Sequence, residues 1–171
     1  MATKDEYAVR IFAQAVRGTP NNAGVPPALA NIIVAQAKHE TGNFSSRFFV
    51  QDHNGFGYSY YSGSPYQTGA GGVADNGQSI AQYATIEDST KEIIDWLYRR
   101  MREGKFPDLR TITTIEEYAV RLKNAGYYGA PVTEYLAGLK RWIVPLTAGA
   151  GVTFIAAAAV IAYLYRKQLF S

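Results

Sequence analysis

The sequence contains no cysteine, which excludes disulfide frameworks and thiolate metal sites and leaves the redox compartment open. Only two histidines occur, His39 and His53. With no clustered carboxylates either, the chain is read as holding no metal, and no cofactor is expected. Charge is also scarce: charged residues make up 18% and the net charge is +3. Setting Arg166 and Lys167 aside leaves fifteen basic residues against fourteen acidic ones, about +1, for residues 1–141. There is no basic stripe interleaved with stacking aromatics, which argues against nucleic acid as a partner. No internal repeat or low-complexity linker breaks the chain. With 171 residues and 47% apolar content, the sequence suits one core and is too apolar for a disordered tail.

Tyrosine is in surplus, with thirteen copies. Its flat apolar face and polar tip suit sugar rings as well as interfaces. A second excess is a charge-free run over residues 142–165, WIVPLTAGAGVTFIAAAAVIAYLY. As a helix it would extend roughly 36 Å, enough to cross a bilayer core. Lys140 and Arg141 precede it, Arg166 and Lys167 follow it, and Trp142, Tyr163 and Tyr165 stand where interfacial aromatics belong. The expected organisation is a domain over 1–141, a single transmembrane helix over 142–165 and a short basic tail over 166–171. A buried helix of the domain is the alternative for the run. Basic pairs on both sides leave its orientation open.

Residues 1–141 are predicted to be mainly α with a small β-hairpin lobe. Thr3 and Glu6 form a capping box ahead of a stripe made by Ala8, Ile11, Phe12, Ala15 and Val16, and Gly18 and Pro20 end that helix. The acidic opening, with no long apolar core behind it, does not read as a signal peptide. Pro26 and Pro27 start a second helix that runs to about Thr41 and closes at Gly42. Over 43–87 glycine, serine, asparagine and tyrosine dominate, and alternation in FGYSYY and SIAQYAT predicts a hairpin lobe. Asp88 or Ser89 then caps a long helix with Ile93, Ile94, Leu97, Tyr98 and Met101 inward, ending at Gly104. Thr114 and Glu117 box another helix to Asn124. A last helix runs from about Pro131 through Tyr135, Leu136 and Leu139.

One residue stands out chemically. In the second helix, steps of four, three and four bring Leu29, Ile33, Gln36 and Glu40 to one face, so a carboxyl closes an apolar stripe at a helix C-terminus. Burial and the negative end of the helix dipole both disfavour its ionised form. A carboxylic acid kept protonated near neutral pH is what a general acid for glycoside cleavage requires. An ordinary solvated glutamate, or one paired with Lys38 or Arg47, satisfies the periodicity equally well.

The local words carry further. The stretch IIVAQAKHETGNFSSRFF, followed by DHNGFGYSY, resembles the glucosaminidase family of peptidoglycan hydrolases, within the lysozyme-like superfamily. The match lies in Ala35-Gln36-Ala37, Glu40-Thr41-Gly42, and Asn54 with Phe56 and Gly57. SIAQYATIEDSTKEIIDWL and LKNAGYYGAPVTEYLAGLKRWI are similar to later segments of that family, so the resemblance spans about 26–143. It implies a lysozyme-like helical fold with a short β-lobe and a cleft between them. It puts Glu40 at the catalytic acid and Tyr127 near that acid, with Asn54 and Phe56 shaping the turn beneath and contacting substrate. Tyr128-Gly129-Ala130 departs from the small and acidic residues the family has before its proline.

An inverting hydrolase needs a second carboxylate roughly 6.5–9.5 Å from the acid. Asp52, Asp75 and Glu87 are the candidates, and the resemblance favours Asp75, which in its own right is an ordinary turn aspartate before Asn76-Gly77. Tyr58, Tyr60, Tyr61 and Tyr66 either line a sugar cleft or pack the lobe. The two histidines read as surface or supporting residues. The expected activity is cleavage of the β-1,4 glycan of peptidoglycan, by hydrolysis or by lytic transglycosylation. The alternative is a non-catalytic glycan-binding or structural membrane protein on the same scaffold. Expected partners are glycan strands, a lipid bilayer through 142–165 and virion proteins. The expected location is a virion membrane, or otherwise a bacterial cell membrane.

Overall fold

The computed structural model describes residues 2–143. The expected transmembrane run, beyond its first two residues, and the basic tail lie outside the described residues. Among those described, no helix is long and apolar enough to cross a membrane.

Among the described residues, six α-helices and one hairpin follow in the order α1 Lys4–Arg17, α2 Pro27–Glu40, α3 Arg47–Asp52, β1 Gln67–Val73, β2 Ser79–Tyr83, α4 Ile86–Arg102, α5 Ile115–Asn124 and α6 Val132–Lys140. A single 3₁₀ turn, Leu109–Thr111, links α4 to α5. The mainly helical chain with a two-stranded lobe agrees with the class read from the sequence. The Thr3–Glu6 capping box forms in both directions. Val16, however, is exposed, so the stripe of α1 is narrower than its sequence suggests.

Helix α2 is the centre of the molecule. Leu29, Ala30, Ile32, Ile33, Val34, Ala35, Gln36 and Ala37 are all buried, so α2 is apolar around its circumference rather than along one stripe. Helices α1 and α6 pack against it, and α4 packs on α1. One continuous core joins Ile11, Leu29, Ile33, Ile93, Leu97, Tyr118, Leu122 and Leu139.

Three expectations are corrected here. The cap of α4 is Thr85, not Asp88 or Ser89: Thr85 has extended backbone, and its Oγ1 accepts from Asp88 N–H at 3.2 Å. Ser89 is fully buried and donates to the Ile86 carbonyl. Replacing Thr85 by Ala is expected to cost about 1 kcal/mol, the usual value of such a cap, read as a shift of the urea midpoint at constant slope. The Thr114 box is only half made, because Glu117 turns to Arg121 instead of back to the Thr114 N–H.

The third correction concerns 43–87. A short helix, α3, opens it, with Ser46 as its cap. The segment FGYSYY is not a strand; its backbone bridges the sheet between Ser59 and Ile80, and the Gln67 side chain bonds to Ser59 and Tyr61. The partner of β2 is the glycine-rich QTGAGGV, antiparallel with Gln67 opposite Tyr83 and Val73 opposite Ser79. Its glycines answer a packing need that alternation does not show. A Cβ on Gly71 would lie 2.6 Å from Asp52 Oδ2, and one on Gly72 would lie 2.8 Å from Phe48. The strand therefore lies directly on α3, and Gly72 N–H donates to Asp52 at 3.2 Å.

Candidate active site

Glu40 is the last residue of α2, and the chain turns away from it at once. Thr41 donates its hydroxyl to the Ala37 carbonyl at 2.6 Å and accepts from Phe44 N–H at 2.8 Å. Gly42, Asn43 and Phe44 then follow in succession with positive φ. That run is costly for the two non-glycine residues. Burial of Phe44 against Tyr7 and Phe49 holds it in place. The sequence word Glu40-Thr41-Gly42 is thus a helix stop that leaves the carboxyl at the end of a buried helix.

Helix α6 supplies the partner for that carboxyl. Tyr135 donates its hydroxyl to Glu40 Oε1 at 2.6 Å. The other oxygen faces Gly57, where an added Cβ would come within 3.7 Å of Oε2. Burial raises the Glu40 carboxyl above its ordinary value, and the Tyr135 hydrogen bond pulls partly the other way. Neither Lys38 nor Arg47 pairs with it; Arg47 donates to the Val73 carbonyl.

A cleft of about 1030 Å³ opens beside Glu40, a size that accommodates ligands of several rings. Its walls come from the 56–66 segment, α4 and the 126–130 loop. Tyr127 stands in it as expected, edge-on to Tyr58 and Trp96, but its hydroxyl donates to the Phe56 carbonyl at 2.6 Å. It braces the turn facing Glu40, while the phenol on the carboxyl is that of Tyr135. Sequence reasoning placed Tyr135 on the core stripe of the last helix and missed this role. Its position four residues after Pro131 was the available signal, but an inward tyrosine reads as packing.

The other expected site residues divide. Phe56 and Tyr58 line the cleft, as do Tyr61 and Tyr66. Tyr60 does not, and it is exposed. Asn54 is buried and holds the turn with all of its amide: Nδ2 donates to the Tyr58 and Ala81 carbonyls, and Oδ1 accepts from Phe56 and Tyr58 N–H. It therefore shapes the turn as expected, and with no free polar group it is not placed to bind substrate. Asp75 sits exposed in the hairpin turn and is not among the cleft-lining residues. Glu87 is tied to Arg10 at 2.6 Å and Asp52 is enclosed under β1, so both have structural roles. His53 caps α3 in a left-handed conformation. His39 lines the cleft edge-on to Tyr135, and burial, with Arg141 adding to it, lowers its pKa below the ordinary value. Among the described residues no group of His, Asp and Glu is placed to hold a metal.

The Tyr135 contact predicts a pH effect. Its hydrogen bond favours the ionised form of Glu40, so Tyr135→Phe raises the carboxyl further. If Glu40 works as an acid, the alkaline limb of the rate profile moves to higher pH in this variant. An unmoved limb, or one moved downward, would exclude Glu40 as its origin.

Comparison with known proteins places this arrangement. The profile of the glucosaminidase family, described as mannosyl-glycoprotein endo-beta-N-acetylglucosaminidase, matches residues 13–157. That span takes in the whole site and extends into the charge-free run. No curated protein matches the sequence. Among solved structures, the glycoside hydrolase domain of Salmonella typhimurium FlgJ aligns with TM-score 0.56 and 20% identity, covering 98% of both chains. A C-terminally truncated form of that domain gives 0.55 and 22%, covering 82% of this chain and 95% of the other. A type VI secretion system effector–immunity complex from Pseudomonas protegens gives 0.51 and 15%, covering 81% and 93%. These likenesses are ones of fold. With the family profile spanning most of the sequence and the carboxyl, the tyrosines and the cleft in one place, the chain belongs to the glucosaminidase family of glycoside hydrolases.

Proposed function

We propose that this protein cleaves the β-1,4 glycan backbone of peptidoglycan, with Glu40 protonating the leaving oxygen. The observation that carries the reading is the Glu40 carboxyl itself. It stands half-buried at the end of α2, held above its ordinary pKa, oriented by Tyr135 and open on the Gly57 side to a tyrosine-walled cleft. Family membership and a fold shared with FlgJ glycoside hydrolase domains support a lysozyme-like enzyme over a bare scaffold.

In this reading Asp75 is the second carboxylate, and it serves only if the hairpin turn swings over the cleft. Without it, either the substrate's own 2-acetamido group attacks and water then completes hydrolysis, or one carboxyl acts as acid and then as base and the product is an anhydro sugar. Digestion of purified sacculi, with products weighed by mass spectrometry, decides between these. A free reducing end marks hydrolysis, and a product lighter by one water marks transglycosylation. Loss of release in Asp75→Asn with the fold intact supports its role. No release by wild type from sacculi of several bacteria would abandon the enzyme for a glycan-binding scaffold.

The reading includes a membrane anchor over 142–165, supported by its length, freedom from charge and flanking basic pairs. Flotation of the full chain with liposomes tests it. We place the anchored enzyme in a virion membrane, from which it would meet peptidoglycan during genome entry. Absence of the protein from purified particles would exclude that location.

A further inference from the structure

The α4 wall of the cleft carries polar side chains that bond cleavage does not use. Glu92, Asp95, Arg99 and Arg102 recur at steps of three and four and all line the cleft, the spacing of one helix face. The two acids are saturated by neutral donors. Asp95 accepts from Thr19 at 2.7 Å, Asn22 at 2.6 Å and Tyr66 at 2.7 Å. Glu92 accepts from Tyr83 at 2.7 Å, Gln67 at 3.0 Å and Ser64 at 3.2 Å. Arg102 donates to Asn22 at 3.1 Å.

Arg99 is different. It is exposed on the cleft, and among the described residues its guanidinium has no hydrogen-bond or ion-pair partner. Close by, the Tyr58 hydroxyl is buried without a partner. Tyr58 and Tyr61 are near enough to feel the Arg99 charge. The cleft thus sets an unpaired cation on α4 near an unsatisfied hydroxyl of the 56–66 segment, while Glu92, Asp95 and Arg102 on the same helix face have partners.

We infer that Arg99 receives a carboxylate carried as a branch on the glycan, either the lactyl acid of a muramic sugar or an acid of the peptide attached there. This rests on the peptidoglycan reading above and names the part of the substrate it selects. The guanidinium fork matches a carboxylate in two parallel hydrogen bonds. Glu92 and Asp95 offset the two arginines, so a free anion gains little from this wall. A carboxylate tethered to a glycan already in the cleft arrives at high effective concentration and pairs with Arg99. A neutral glycan of N-acetylglucosamine alone offers it only hydroxyl and amide oxygens, weaker acceptors than a carboxylate.

The test uses the full chain with Glu40→Gln to prevent turnover. Its affinity is measured for three glycans of equal length: an N-acetylglucosamine oligomer, a muramic-containing oligomer with bare lactyl acids, and the same oligomer with its peptides. Adding Arg99→Gln is expected to weaken a carboxylate-bearing glycan about tenfold more than the neutral one, equivalent to about 1.4 kcal/mol. Arg99→Lys should recover part of that loss, and added salt should shrink it. An effect already complete with the bare lactyl glycan identifies that acid, and one confined to the third ligand identifies the peptide. Equal weakening across all three glycans, or none, overturns the inference while leaving the substrate reading in place. If none of the three binds even with Arg99 present, the glycan reading fails and the inference fails with it.

Discussion

Glu40→Gln is expected to lower glycan release from sacculi about a thousandfold, within the range that general acid catalysis contributes, while the protein still folds. The substitution keeps the shape of the side chain and an oxygen to accept from Tyr135, and removes only the transferable proton. The folded chain gives a second readout. Because burial raises the Glu40 carboxyl above its ordinary value, the native state holds that proton to higher pH than the unfolded chain does. The stability this contributes is complete below the unfolded value and is lost as pH rises through the folded one. Melting temperatures of the wild type should therefore fall across that interval, above the ordinary carboxyl range, more than those of Glu40→Gln. Parallel curves for the two proteins would mean that the carboxyl is solvated. Full activity in the variant would remove Glu40 from the chemistry.

The second large effect is expected at Gly138, which touches neither the Glu40 carboxyl nor the cleft. It is buried where α6 crosses the end of α2, and a Cβ there would lie 2.6 Å from His39 Nδ1 and nearer still to Cε1. The imidazole has little room to yield, because it already sits edge-on to Tyr135 at 5.0 Å. Gly138→Ala must therefore move the ring or move α6. The overpacking should cost about 2–3 kcal/mol and lower Tm by roughly 10 °C. Either movement disturbs the Tyr135 hydroxyl on Glu40, one turn away, so activity falls with stability. His39→Ala should relieve the clash, making the double variant more stable than the two single changes sum to. Strict additivity would place the clash elsewhere. This glycine explains how α6 comes close enough to reach the acid.

The stopping points of the helices were legible because they are local. Thr3 with Glu6, Pro27, Gly104 and Pro131 act within one turn of themselves, and the structure keeps each of those boundaries within a residue or two. Glu40 was legible for a related reason. The spacing puts its carboxyl in phase with Leu29, Ile33 and Gln36, and the family's word around it separates an acid from an ordinary glutamate.

Contacts between distant segments left weaker traces or none. The strand QTGAGGV shows no alternation because its glycines are selected by Asp52 and Phe48, about twenty residues earlier. Asn54 read as a turn residue, but that its amide is used up depends on the Ala81 carbonyl across the lobe. Tyr135 looked like core until α6 met α2, and Gly138 looked like any helical glycine. Arg99 and Arg102 were two charges among many until the 56–66 segment closed a wall opposite them. By itself the sequence determined the five longer helices, the presence of a lobe and a candidate acid, because propensity, capping and periodicity are properties of neighbouring residues. Only the tertiary structure decided which phenol touches that acid and which cation faces the cleft. Those pairings depend on where separate elements cross, and no short stretch of sequence encodes that crossing.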